Sequence, residues 1–600
     1  MITGNKQLWR QLSLPVVPMP VYALAVNREQ LWAGGLGGVA SYALTGTQEE
    51  LANQWEPGVA ALPLSAVTAL LALDEVLLAG GSEGIACSYD RGQSWRQAEL
   101  DDGLASITAL AASPDFAHDR RALAATLATG ILRTDDGGRT WMNASFGLES
   151  LEVNALCWAD QATVLAATSA GIYRSRDAGR SWRRLYESVD GEGREVEALA
   201  VHPAGTLLAA LASGELLLSR DNGKHWEISL PEPGAQALSL CVTATGALLY
   251  GTLEHGLLRS EDVGKTWQTV YTQAIHTGIA FRSRVSAEST EAVPLYIGSD
   301  IGVSVSYDDG CSWRELSCPP LHDLRHVLAR QDHLLLTGIY TGAVEATSAQ
   351  TWRPLEDVPP LLGASCFLGQ DLLLLSTSAG LEQRSLTSGA RSMLLAGEKG
   401  QVAYIAQRQV NEALHLWVSG VDGASLLHSA DGGEHWSPLD APFGVLPLVA
   451  LEAVAQRLVA ATYDPRQQQV CLWYSHDEGK SWIRSLEAAT RWPIVATCKL
   501  PAAVGIGNIL FLEQEAWRWQ QVVVPGNGSA IRRVLGFERD GPPGLLVLTT
   551  GGIQRSDDLG QTWQPEHDGL PLEQIVDLAY AGKTLSVLLT GGRVWQRDLL

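Results

Sequence analysis

One eight-residue pattern, Ser/Thr-x-Asp-x-Gly-x-Ser/Thr/His-Trp, is written nine times into this chain, and that repetition limits its possible folds more than any other feature. The copies are Ser88–Trp95, Thr134–Trp141, Ser175–Trp182, Ser219–Trp226, Ser260–Trp267, Ser306–Trp313, Ser429–Trp436, Ser475–Trp482 and Ser556–Trp563. Each part has a mechanical reading. The carboxylates of Asp90, Asp136, Asp177, Asp221, Asp262, Asp308, Asp431, Asp477 and Asp558 can accept backbone N–H bonds inside their own turns. Glycine takes the positive φ that a tight turn requires, and tryptophan opens the next strand.

With tryptophan as the ruler, and Met393 standing in for one mark, the repeats from Trp9 to Trp563 are spaced 37–46 residues apart. That is about the length of one four-stranded propeller blade, roughly 40–50 residues. The segment Val196–Leu230 shows the strands: an alternating inner run Val196–Val201, a buried run Thr206–Leu211, a third at Glu215–Ser219 and an outer one at His225–Ser229. The 37 residues after Trp563 and the nine up to Trp9 make one further repeat. Gly591–Gln596 reads like Gly551–Ser556, and Lys6–Leu12 reads like the strand that should follow it. The N-terminal segment is therefore expected to complete the last blade, which removes an open sheet edge.

Helical periodicity is missing, so the expected class is all-β. Fourteen four-stranded repeats predict two seven-bladed β-propellers in tandem, one over 15–318 and the other over 319–600 plus 1–14. One larger ring is the alternative, and it leaves a central hole that side chains cannot fill. The crossover is expected within Leu316–His322, where Pro319-Pro320 interrupts strand pairing.

The nine-fold pattern resembles the Asp-box (BNR) repeat of sialidase-like, sortilin-like and xyloglucanase-like propellers, within the wider WD40/YVTN/BNR-like class that is common in bacteria. The resemblance implies that the nine Asp residues are structural and peripheral. Ligands would then meet the mouth of a central channel or an inter-propeller cleft. A sialidase would need an arginine triad and an Arg-Ile-Pro near its start; no Arg-Ile-Pro occurs, and Phe281–Arg284 is the nearest approach. The xyloglucanase-like reading implies two catalytic Asp residues across a cleft. Here Gly34–Gly38 is followed by Val-Ala-Ser-Tyr, with no carboxylate in place. The photosystem II stability factor is similar over only half this length and has a basic surface that this chain lacks.

The net charge of −23 and pI near 5.0 repel a phosphate backbone, so nucleic acid is excluded as a partner. Eight cysteines are scattered singly, which favours a reducing, cytoplasmic location over secretion. Lys6 and Arg10 ahead of an apolar stretch imitate a leader, but Val21–Val26 has the pattern that opens later repeats. No apolar run reaches the length of a membrane span, and a monomer is expected.

Trp492, Trp517 and Trp519 cluster where the box is lost and form the candidate binding surface, with core packing as the alternative. His322 and His326 read as a loop-plus-strand pair, not metal ligands. The acidic run Glu187–Glu197 reads as a solvated inter-blade loop, and Ser113–Arg120 as a turn phrase between strands. No metal and no cofactor are expected. With no catalytic set matched, the favoured function is a non-enzymatic scaffold recognising a protein or glycan. The alternative is a glycoside hydrolase with its acid and base in the inter-propeller cleft.

Overall fold

Alternation along the inner strand and unbroken apolar runs in the middle strands decide how each repeat folds. In the repeat beginning at Val196, the computed structural model has antiparallel strands at Val196–Val201, Leu207–Leu211, Leu216–Ser219 and Glu227–Ser229. The second strand is buried throughout, while the fourth is largely exposed. Burial on both faces of the middle strands follows from the packing of blade on blade. The structure describes residues 9–599 apart from 13–18, 45–54, 188–194, 276–279, 282–293, 347–351, 421–425, 491–494, 538–542 and 571–574, and one to three residues at a time elsewhere.

Among the described residues fourteen sheets form, thirteen with four strands and one with five. The fifth strand is added from the neighbouring repeat, whose own sheet keeps the expected four. Glu99–Leu100, from the tail of one repeat, runs parallel to the outer strand Thr140–Asn143 of the next. Glu99 N–H donates to the Arg139 carbonyl at 2.9 Å and Asp101 N–H to the Trp141 carbonyl at 3.0 Å. The turn phrase at Ser113–Arg120 contains one helical turn, Phe116–Asp119. Among the described residues no helix is long and apolar enough to cross a membrane.

The chain divides into two compact units, Val16–His322 and Met1–Pro15 with Asp323–Leu600. Seven sheets lie in each. In the unit Val16–His322, the inner strand Ala23–Val26 of the first sheet lies beside Ala280–Phe281 of the seventh, and Val21 N–H donates to the Ser299 carbonyl at 3.1 Å. Leu321 is fully buried with Met19, Val21 and Leu31, so the chain leaves this unit only after Pro319-Pro320.

In the other unit the inner strand Leu324–Arg330 lies beside Ile575–Ala581. Asp577, buried between them, accepts a bond from Val327 N–H at 3.1 Å. Burial alone would raise its carboxyl, but Arg533, His326 and the Val327 N–H outweigh that and hold it below the ordinary carboxylate value. The seventh sheet is completed from the other end of the chain. Arg10–Leu12 pairs antiparallel with Val594–Asp598, placing Arg10 opposite Gln596 and Leu12 opposite Val594. Leu12 is buried with Leu324, Leu588 and Val594, so the N-terminal segment contributes apolar packing as well as strand pairing.

Candidate functional site

All nine box aspartates form the same turn. In Ser88–Trp95, one Asp90 oxygen accepts bonds from the Ser88 hydroxyl and the Ser94 N–H, each at 2.8 Å, and the other accepts the Ser94 hydroxyl at 2.5 Å. Ser88 Oγ accepts the Gly92 N–H at 2.8 Å. The set recurs at Asp136, Asp177, Asp221, Asp262, Asp308, Asp431, Asp477 and Asp558, with His225 and His435 replacing the second hydroxyl at two of them. Hydroxyl and backbone donors hold Asp308, Asp477 and Asp558 at about 2, the Ser312, Ser481 and Thr562 hydroxyls contributing most. Every carboxylate oxygen is thus committed to its own turn.

Trp492, Trp517 and Arg282–Arg284 lie outside the described residues. Trp519 is half-buried, donates its indole N–H to Ser485 Oγ at 2.8 Å and packs beside Leu472, Val504 and Phe511. His322 and His326 are not brought together as ligands. His322 is buried at the end of one unit, and His326, in the other, turns Nδ1 toward Asp577 at 3.6 Å.

A second recurrent device ties neighbouring blades at the start of their inner strands. There the register of the inner strand shifts by one residue, leaving a bulged side chain. Thr108 Oγ1 donates to the Val153 carbonyl of the next blade at 2.5 Å, and Asn154 Nδ2 donates to the Val196 carbonyl at 3.1 Å. Thr68 Oγ1 does the same to the Ile107 carbonyl at 2.7 Å. The next residue in this series is Glu197, bulged between Val196 and Ala198. A carboxyl can donate from that position only when it keeps its proton. Its environment pushes the same way: burial raises Glu197, and the charges of Glu195 and Glu152 raise it further. Near this end of the inner strands Glu197 thus feels the charges of two exposed carboxyl groups, Glu195 from its own blade and Glu152 from the neighbouring one.

Of the acidic run Glu187–Glu197, residues 188–194 lie outside the described residues, and Glu197 falls on the inner strand Val196–Val201. The available signal was the column Thr68, Thr108, Asn154, Glu197, in which a donor is replaced by an acid.

At the opposite ends of the inner strands, within the same unit, lies a groove of about 1130 Å³. Its walls include Glu29, Tyr89, Arg91, Phe116, Arg120 and Arg139. Arg91 pairs with Glu29 at 2.8 Å, and the Arg139 guanidinium lies 5.0 Å from the centre of the Tyr89 ring. Phe116 and Arg120 come from the Ser113–Arg120 phrase, so that turn lines a cavity as well as linking strands.

The class these observations define is a β-propeller protein with seven sheets in each of two units. No protein-family model and no curated protein sequence matches the chain. Among solved structures it is similar to the GH74 xyloglucanase of Xanthomonas campestris, with a TM-score of 0.65 and 17% identity over 99% of this chain and 100% of that one. It is also similar to a GH74 enzyme of Niastella koreensis, with a TM-score of 0.64 and 15% identity over 98% and 99% of the two chains. PorZ, a bacterial surface component of the type-IX secretion system of Porphyromonas gingivalis, follows with a TM-score of 0.51 and 12% identity over 98% and 87%.

Proposed function

We propose that this chain is a glycoside hydrolase with Glu197 as its general acid. The observation that carries the reading is the part-buried Glu197 bulged out of its inner strand, where burial and the charges of Glu195 and Glu152 all push its carboxyl up. Glycosidic cleavage needs one carboxyl that holds its proton and donates it to the leaving oxygen, and a second that stays ionised as base or nucleophile. Glu195 and Glu152 are the candidates for the second carboxyl. The end-to-end likeness to two GH74 proteins, one of them a xyloglucanase, supports the same reading and reverses the preference for a non-enzymatic scaffold. The proposed acid, Glu197, belongs to the unit Val16–His322.

The test is reducing-end release from a panel of β-linked polysaccharides and oligosaccharides by wild type and by Glu197→Gln, Glu195→Gln and Glu152→Gln. The Glu197→Gln variant is expected to lose about 10²–10⁴-fold in kcat. A general acid works only while protonated, so wild-type activity falls as pH rises through the Glu197 pKa, and the variant lacks that limb. Release that persists unchanged in Glu197→Gln overturns the assignment.

A second reading is favoured by the lining of the groove. Aromatic rings and planar guanidinium groups at Tyr89, Phe116, Arg120 and Arg139 suit stacking on sugar faces, which supports glycan binding without cleavage. Retardation on glycan-containing gels that is lost in Tyr89→Ala, with no product released, would select it.

A further inference from the structure

We propose that His415, His428 and Glu478 form a binding site for one divalent transition-metal ion of the zinc class. His415 lies on the strand Ala413–Gly420 and His428 on its neighbour Leu426–Ser429, where Trp417 pairs directly with His428. Residues two apart on a strand share a face, as do residues paired across strands, so His415, Trp417 and His428 project from the same side of the sheet. Glu478 arrives from the box turn Ser475–Trp482 of the next repeat.

Both histidines are buried, and His415 Nδ1 lies 3.0 Å from His428 Nε2. His415 Nδ1 lies 3.9 Å from Glu478 Oε1, and the three ligand atoms are all within 4.8 Å of one another. Zinc bonds of about 2.0–2.2 Å to nitrogen and oxygen require donors no more than about 4 Å apart. A movement of under about 1 Å in the partly exposed Glu478 side chain closes the triangle. Its exposed side leaves the fourth tetrahedral position to water.

The surroundings fix the donors. The Trp417 ring stacks on His428 with centres 4.9 Å apart and planes inclined by 15°. Trp417 Nε1–H donates to the Glu478 carbonyl at 2.9 Å, holding the backbone of the third ligand. Two imidazole nitrogens and one carboxylate are a donor set for zinc, copper or nickel in preference to magnesium or calcium. Arg408, 5.2 Å from the Trp417 ring, adds positive potential, against which the Glu478 carboxylate is the local counter-charge. A bound ion would join the sheet that carries both histidines to the box turn of the next.

The test titrates the chelator-stripped full chain with Zn²⁺ by calorimetry and records the Co²⁺-loaded visible spectrum. One equivalent is expected to bind, with tetrahedral cobalt bands and no thiolate charge-transfer band. The variant Glu478→Gln is expected to lower affinity at least tenfold, and His415→Gln with His428→Gln to abolish stoichiometric binding. Thermal midpoints of apo and loaded chain, compared for wild type and Glu478→Gln, keep the proposal testable where the double variant folds poorly. Absence of stoichiometric binding leaves the two rings sharing one hydrogen-bonding proton and overturns the proposal. Equal binding by Glu478→Gln and the double variant, or an octahedral cobalt spectrum, overturns it as well.

Discussion

The tip of each box holds two consecutive residues in the left-handed region, and only the second is always glycine. The first is Arg91, Gly137, Ala178, Asn222, Val263, Asp309, Gly432, Glu478 or Leu559, each with φ between 56° and 79°. The sequence pattern assigned positive φ to the glycine alone, because the variable position before it carries no compositional mark. Leu559 has a side chain poorly suited to that conformation and is partly exposed. Leu559→Asn should stabilise the chain by about 0.5–1 kcal/mol, seen as a higher urea midpoint at unchanged slope. Asp308→Ala, which strips the turn of its acceptor, should destabilise by about 1–2 kcal/mol in the same measurement.

A blade can keep its turn after losing its box. In Thr387–Met393 the aspartate is missing, and Asp371, from the hairpin between the first two strands of that sheet, takes its place. Asp371 accepts bonds from Ser385 Oγ at 2.6 Å and Thr387 N–H at 2.8 Å. Asp371→Ala should therefore lower the thermal midpoint, as loss of a regular box aspartate does. Strands and boxes were legible because their information is local: alternation, apolar runs and an eight-residue spacing. Asp371 was not, since it lies 16 residues from the backbone it caps. Glu197 was not, since its meaning depends on a register shift that places Thr108 and Asn154 in the same seat. Trp519 sits near a degenerate box as the sequence suggested, but its indole N–H is taken by Ser485.

Across the whole molecule, all nine box carboxylates are held below their ordinary value. Their folded-state values lie below the roughly 3.9 of an unfolded aspartate, at about 2 for Asp308, Asp477 and Asp558. A depressed carboxyl contributes stability above its unfolded pKa and loses it as pH falls through the folded one. Unfolding midpoints should therefore hold down to about pH 4 and drop steeply from there to about pH 2. The seventh sheet of the second unit adds a constraint of another kind, because the bond from Arg10 to Gln596 spans 586 residues. During synthesis the strand Arg10–Leu12 is made well before its partner Val594–Asp598, so this pairing waits for the blades between them. Until then Val594–Asp598 offers an unpaired edge to any passing strand. A circular permutant that moves residues 1–15 behind Leu600 keeps every strand pairing and turns this longest closure into a local hairpin. It should refold faster and aggregate less than the natural order, which makes the order of synthesis itself a determinant of how safely the chain folds.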